Sequence, residues 1–89
     1  MLEPIRASQF KRDLCKAQRQ GKDLELLKAI IQTLTEEKPL EDRDRDHELT
    51  GTWRGYRECH VNSDWLLIYK VDGNELKLAR VGSHSELFR

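Results

Sequence analysis

Residues 56–71 read YRECHVNSDWLLIYKV, and whether they form a helix or two strands decides the fold. Apolar side chains alternate here, and aromatic and β-branched residues are frequent, which is the signature of strands. Asn62-Ser63 reads as a two-residue turn between them. With that turn His60 faces Trp65 across the hairpin. Tyr56, Glu58, His60, Trp65, Leu67 and Tyr69 then share one face, and Cys59, Val61, Leu66 and Ile68 the other. The second set is expected to face the core, although Arg57 falls on it. The first set is unusually apolar for a solvent face and is expected to meet a partner or ligand. A longer turn would shift this register.

Downstream, Asp72-Gly73 signals a second hairpin leading into ELKLARV. The tail GSHSELFR can close with one helical turn. Upstream, the period becomes helical. Phe10, Leu14 and Ala17 recur at helical spacing behind Ser8, an apt N-cap. Gly21 fits the left-handed position past a helix end. Leu24, Leu27, Ile31 and Leu34, broadened by Ile30, form the stripe of a second helix that Pro39 ends. Between them, residues 38–52 (KPLEDRDRDHELTGT) read as a loop with room for one helical turn. The spacing predicts strands near 2–6, 53–61, 64–71 and 75–82, and helices near 9–20 and 23–37. The expected fold is a two-layer α+β domain in β-α-α-β-β-β order, with a helical hairpin on a mainly antiparallel sheet.

The 89 residues suit one domain, 1–89. The longest apolar run, WLLIY at 65–69, is too short to cross a bilayer, and charge occupies the place where a signal peptide has its apolar segment. A cytoplasmic protein without a membrane partner is expected. Cys15 and Cys59 are then reduced thiols, expected as small buried residues. The formal net charge is zero. That argues against nucleic-acid affinity from bulk positive charge, while leaving room for local patches.

His47, His60, His84 and Asp64 carry the chemistry the sequence offers. Each has a plain structural reading: His60 bonded to a carbonyl, Asp64 to its own turn, His47 on the surface, His84 beside a helix cap. Trp53 and Trp65 suit a core. The same four residues are legal metal ligands, but no compact ligand motif is present, so no metal is expected. They also suit proton chemistry. RNA is cut without metal when its 2′-hydroxyl attacks the adjacent phosphate, which needs a base, an acid and donors to the phosphate. Imidazole serves both proton roles near neutrality, and an aromatic ring can stack on a splayed base.

The block DHELTGTWRGYRECHVNSDWLLIYK, followed by RVGSHSELF, resembles the RelE-type toxins of bacterial toxin–antitoxin systems, and within them the YafQ-like branch. The likeness covers nearly the whole chain. It implies a first strand lying beside the last one. It also implies a ribosome-dependent endonuclease that cuts mRNA in the ribosomal A site without a cofactor. A cognate antitoxin would neutralise it, and operator DNA would be met only indirectly, through the antitoxin complex. In the resemblance His47, His60, Asp64 and His84 are catalytic, and Phe88 and Trp65 lie at the substrate. Arg57 and Arg80 are expected phosphate contacts. Two rivals remain at this point: a same-fold gyrase-binding toxin and a metal-dependent hydrolase using the His/Asp cluster.

Overall fold

The computed structural model describes residues 1–88. The chain runs β1 (Glu3–Arg6), α1 (Ser8–Arg19), α2 (Leu24–Thr35), a 3-10 turn at Asp42–Asp44, β2 (His47–Glu48), a second 3-10 turn at Gly51–Trp53, β3 (Arg57–Asn62), β4 (Trp65–Asp72), β5 (Glu75–Gly82) and α3 (His84–Leu87). The strands form one sheet in the order β1-β5-β4-β3-β2. β1 pairs with β5 in parallel, Glu3 opposite Glu75, as the resemblance implies; the other pairings are antiparallel. The expected α+β architecture is therefore present. Among the described residues no helix is long and apolar enough to cross a membrane.

Several boundaries differ from the sequence reading. α1 begins at Ser8 itself. Ala7 takes the capping position and no side chain caps the helix, so the Ser8 hydroxyl lies within the first turn. α2 is capped by Asp23, whose carboxylate accepts from the Glu25 N–H at 3.0 Å. It stops at Thr35, ahead of Pro39, and Glu37 takes a left-handed backbone (φ +60°) to turn the chain. Gly21 does so between the helices (φ +76°), a conformation cheap for a residue without Cβ. β3 starts at Arg57, not 53, because Gly51–Trp53 is a 3-10 turn.

The β3–β4 register corrects the face assignment. The pairs are Cys59 with Leu67, His60 with Leu66, and Asn62 with Trp65, with a bulge at Val61. The turn residues are thus Ser63 and Asp64. A bulge absorbs one extra residue on one strand and so inverts parity across the hairpin. Trp65, Leu67 and Tyr69 join Cys59 and Val61 beneath the helices, not His60. Leu66 and Ile68 fall on the face that carries Glu58 and His60.

The helix-covered face holds the main core. Phe10, Ala17, Leu27, Ile30 and Leu34 pack against Leu67, Tyr69, Leu76, Leu78 and Val81. Each large side chain buried there contributes about 1.5–3 kcal/mol. Cys59 belongs to this core, and burial pushes its thiol pKa up. Cys15 is exposed, contrary to expectation. One buried charge pair ties α1 to β5. Asp13, 7% exposed, accepts two bonds from the Arg80 guanidinium at 2.9 and 3.0 Å and one from the Val81 N–H at 3.2 Å. The opposite face has a smaller cluster: Leu66, Ile68 and Leu87 are buried beneath Leu49, Trp53, Tyr56, Ala79 and Phe88.

Candidate active site

Glu58 is the centre of the polar group on that second face. It is 5% exposed, although glutamate is rarely buried without a partner. Its Oε1 lies 3.6 Å from His47 Nε2 and 3.7 Å from His60 Nε2. Three backbone facts produce this arrangement. His47 is opposite Glu58 in the β2–β3 pair. Glu58 and His60 are two residues apart on one strand and so share a face. Asp46 then holds the β2 entry: its Oδ1 accepts from Tyr69 Oη at 2.6 Å and from Arg57 Nε at 3.1 Å. Burial, followed by that bond to Asp46, pushes the Tyr69 phenol pKa up, so Tyr69 acts as a donor here.

His47 has its tautomer set by the chain. Its Nδ1 is 2.7 Å from the Arg45 carbonyl oxygen. A carbonyl only accepts, so Nδ1 carries a hydrogen and donates it. Nε2 remains for proton exchange and faces the Glu58 carboxylate. A proton on either imidazole is met by the same negative charge, an arrangement that suits acid and base work.

The tail adds the remaining groups. Asp64 Oδ1 accepts the backbone N–H of His84 at 3.0 Å. Asp64 therefore holds His84 through its main chain, not through the imidazole. Ser83 and Glu86 form a reciprocal capping box, and Lys16 on α1 pairs with Glu86. The Lys16 ammonium, and then the Ser83 N–H, hold the Glu86 carboxyl down at about 2. Gly82 makes the close approach possible, since a Cβ there would lie 3.2 Å from both Glu86 Oε1 and Leu87 Cδ2. Anchored this way, the His84 and Phe88 rings sit 5.0 Å apart. Phe88 packs on the cluster of Leu66 and Ile68. Leu66 is the partner of His60, so tail and imidazole pair occupy one surface.

Other expected site residues lie elsewhere. Trp65 is 3% exposed in the helix-side core; it buttresses the hairpin and has no open ring face for a base. The Arg57 guanidinium is engaged by Asp46 and by Glu48 at 3.6 Å, and Arg80 is held by Asp13. Neither is brought to the imidazoles. Glu58, which shares the face of His60 two residues along the strand, is a candidate that the sequence reading does not single out. Among the described residues, no three His, Cys, Asp or Glu side chains are placed to hold a metal ion.

Comparison with known proteins settles the family. The model of the bacterial type II toxin–antitoxin toxin YafQ matches residues 2–89. The chain belongs to the YafQ toxin family. It is 40% identical over 83 residues to the mRNA interferase toxin YafQ of Escherichia coli strain K12, covering 92% of this chain and 90% of that one. The YafQ fold is shared closely. A copper-bound mutant toxin from Helicobacter pylori superposes with a TM-score of 0.95 at 42% identity, covering 99% of this chain and 100% of that one. The E. coli DinJ–YafQ toxin–antitoxin complex contains a chain matching with a TM-score of 0.90 at 37% identity, over 99% of this chain and 98% of that one.

Proposed function

We propose that this YafQ-family toxin is a ribosome-dependent endoribonuclease that cuts mRNA by imidazole acid–base chemistry, with the RNA's own 2′-hydroxyl as nucleophile. The observation that carries this reading is the pair of imidazole nitrogens facing one buried carboxylate oxygen, at 3.6 and 3.7 Å. One imidazole takes the 2′-hydroxyl proton as that oxygen bonds to phosphorus. Another gives a proton to the departing 5′-oxygen as the P–O bond breaks. The products are a 2′,3′-cyclic phosphate and a 5′-hydroxyl end, so no water or metal enters the balance. Glu58 compensates the proton held between the rings. His84 approaches from the tail that Asp64 anchors, and Phe88 offers its half-buried ring to the base beside the cut. The half-exposed His47 side chain gives access to the solvent for resetting the protons.

A small cognate antitoxin binds this chain, as DinJ binds YafQ in the E. coli complex; contact with operator DNA runs through that complex. Trp65, Leu67 and Tyr69, half of the face expected to meet such a partner, lie in the core beneath the helices, so the family relationship supports this partner instead.

The test is primer-extension mapping on translating mRNA with purified, folded variants. His60→Ala and His84→Ala should each lose on the order of 10²–10⁴ in rate while keeping the fold and antitoxin binding. Asp64→Ala should lose less, because it acts through the His84 backbone. Near wild-type cutting by both histidine variants would sink the mechanism. Because the Helicobacter toxin is a copper-bound form, excess chelator is a required arm: cutting should persist. Loss of cutting there would favour the hydrolase reading, and intact mRNA with damaged DNA the gyrase one.

A further inference from the structure

A groove of about 720 Å³ runs between α2, the 39–45 segment and the end of β3. His60 is among the residues that line it. Leu26, Ala29 and Ile30 give it an apolar wall, and Arg45, Asn62 and Ser63 line it with donors. Asn62 Oδ1 already accepts the Ser63 N–H at 2.9 Å, which leaves its amide nitrogen as a donor. Two carboxylates also line the groove. Glu41 pairs with Arg43 at 2.7 Å, and the Asp44 carboxylate accepts the Glu41 N–H at 3.2 Å. Among the described residues, Arg45 has no carboxylate partner, and its side chain is exposed. Its backbone is left-handed, φ +49° and ψ +48°, an uncommon state for a residue with Cβ. That turn aims its carbonyl at His47, and the residue also lines the groove.

We propose that this groove binds the nucleotide adjoining the scissile phosphate, with Arg45 pairing its phosphate and the α2 wall receiving its sugar and base. The proposal rests on the RNA-cleaving reading above. The Arg45 guanidinium, without a carboxylate partner among the described residues, and the neutral donors of Asn62 and Ser63 suit a phosphodiester, with the Asp44 carboxylate also in the lining. His60 belongs both to the groove lining and to the imidazole pair of the proposed site. Arg45 thus binds substrate through its side chain and positions a catalytic imidazole through its main chain.

The experiment measures cleavage of ribosome-bound mRNA by the full chain carrying Arg45→Met or Arg45→Lys. Both substitutions keep a Cβ, so the left-handed backbone and the bond to His47 are equally constrained. Arg45→Met should raise KM about tenfold with kcat within about twofold, and should reduce the salt slope of binding by about one. Arg45→Lys should recover most of the loss. Antitoxin affinity should be unchanged in both. Wild-type KM and salt slope in Arg45→Met would overturn the proposal. So would a fall in kcat at constant KM, which would leave Arg45 only its role at His47. Loss of antitoxin binding at constant KM would make the groove a protein-docking site instead. His60→Ala, run in parallel, separates the two readings: its loss of cutting upholds the reaction whatever Arg45 does.

Discussion

The two faces of the sheet are built by different rules. The helix-covered face is closed by long side chains from two helices, and its one charged intrusion, Asp13, has all its bonds made. The other face has no helical layer. A short tail, a 3-10 turn and a handful of half-buried rings cover Leu66 and Ile68, and beside them a buried glutamate stands between two histidines. Packing energy is concentrated on the first face, and unspent polar chemistry on the second. Stability and reactivity should therefore be separable by substitution.

The largest expected effect lies on the packed face. Phe10, 1% exposed, should cost about 3–5 kcal/mol of stability as Phe10→Ala, read from the denaturant midpoint. The fraction that remains folded should cut mRNA at the wild-type rate. A folded but inactive Phe10→Ala would mean the faces are coupled, and the separation would fail.

On the face that carries Glu58 the expectation is reversed. Glu58→Gln keeps the shape and removes the charge facing both imidazoles. It should lower the cutting rate on the order of 10²-fold, toward the low end of what loss of an acid or base costs, and alter the pH–rate profile. The thermal midpoint should move little. An unchanged pH profile with a large loss of stability would make Glu58 structural.

This division also marks what the sequence could disclose. The helical hairpin was legible because Leu24, Leu27, Ile31 and Leu34 repeat at helical spacing, and the strand meander because Asp72-Gly73 and the alternating runs bracket it. The register of the β3–β4 hairpin was not. A bulge at Val61 has no residue signature of its own, since valine suits a regular strand equally well, yet it moves Trp65, Leu67 and Tyr69 to the opposite face. β2 is two residues long, too short for alternation to register, so the pairing that brings His47 to Glu58 could not be read. The histidines and Asp64 stood out by their chemistry. Glu58 did not, because a glutamate on a strand ordinarily means solvent.

The smallest effect concerns the tail that joins the faces. Glu86, held near 2 by Lys16, has a depressed folded value. Its contribution is thus present above its ordinary 4.5 and lost as pH falls toward 2. Because both partners are partly exposed, the loss should be at most about 1 kcal/mol. The fall in thermal midpoint between pH 5 and 3 should be shallower in Glu86→Gln than in wild type. Equal slopes would remove the latch from the account of how His84 is held.

The parallel pairing of β1 with β5 has a consequence for how the molecule comes into being. Glu3 is made well before its partner Glu75. Contacts so distant along the chain form slowly, and the edge of the sheet cannot close while β5 is still being synthesised. His84 and Phe88 follow β5 in turn. The candidate site, with His84 and Phe88 downstream of β5, is therefore assembled only after that strand has been made.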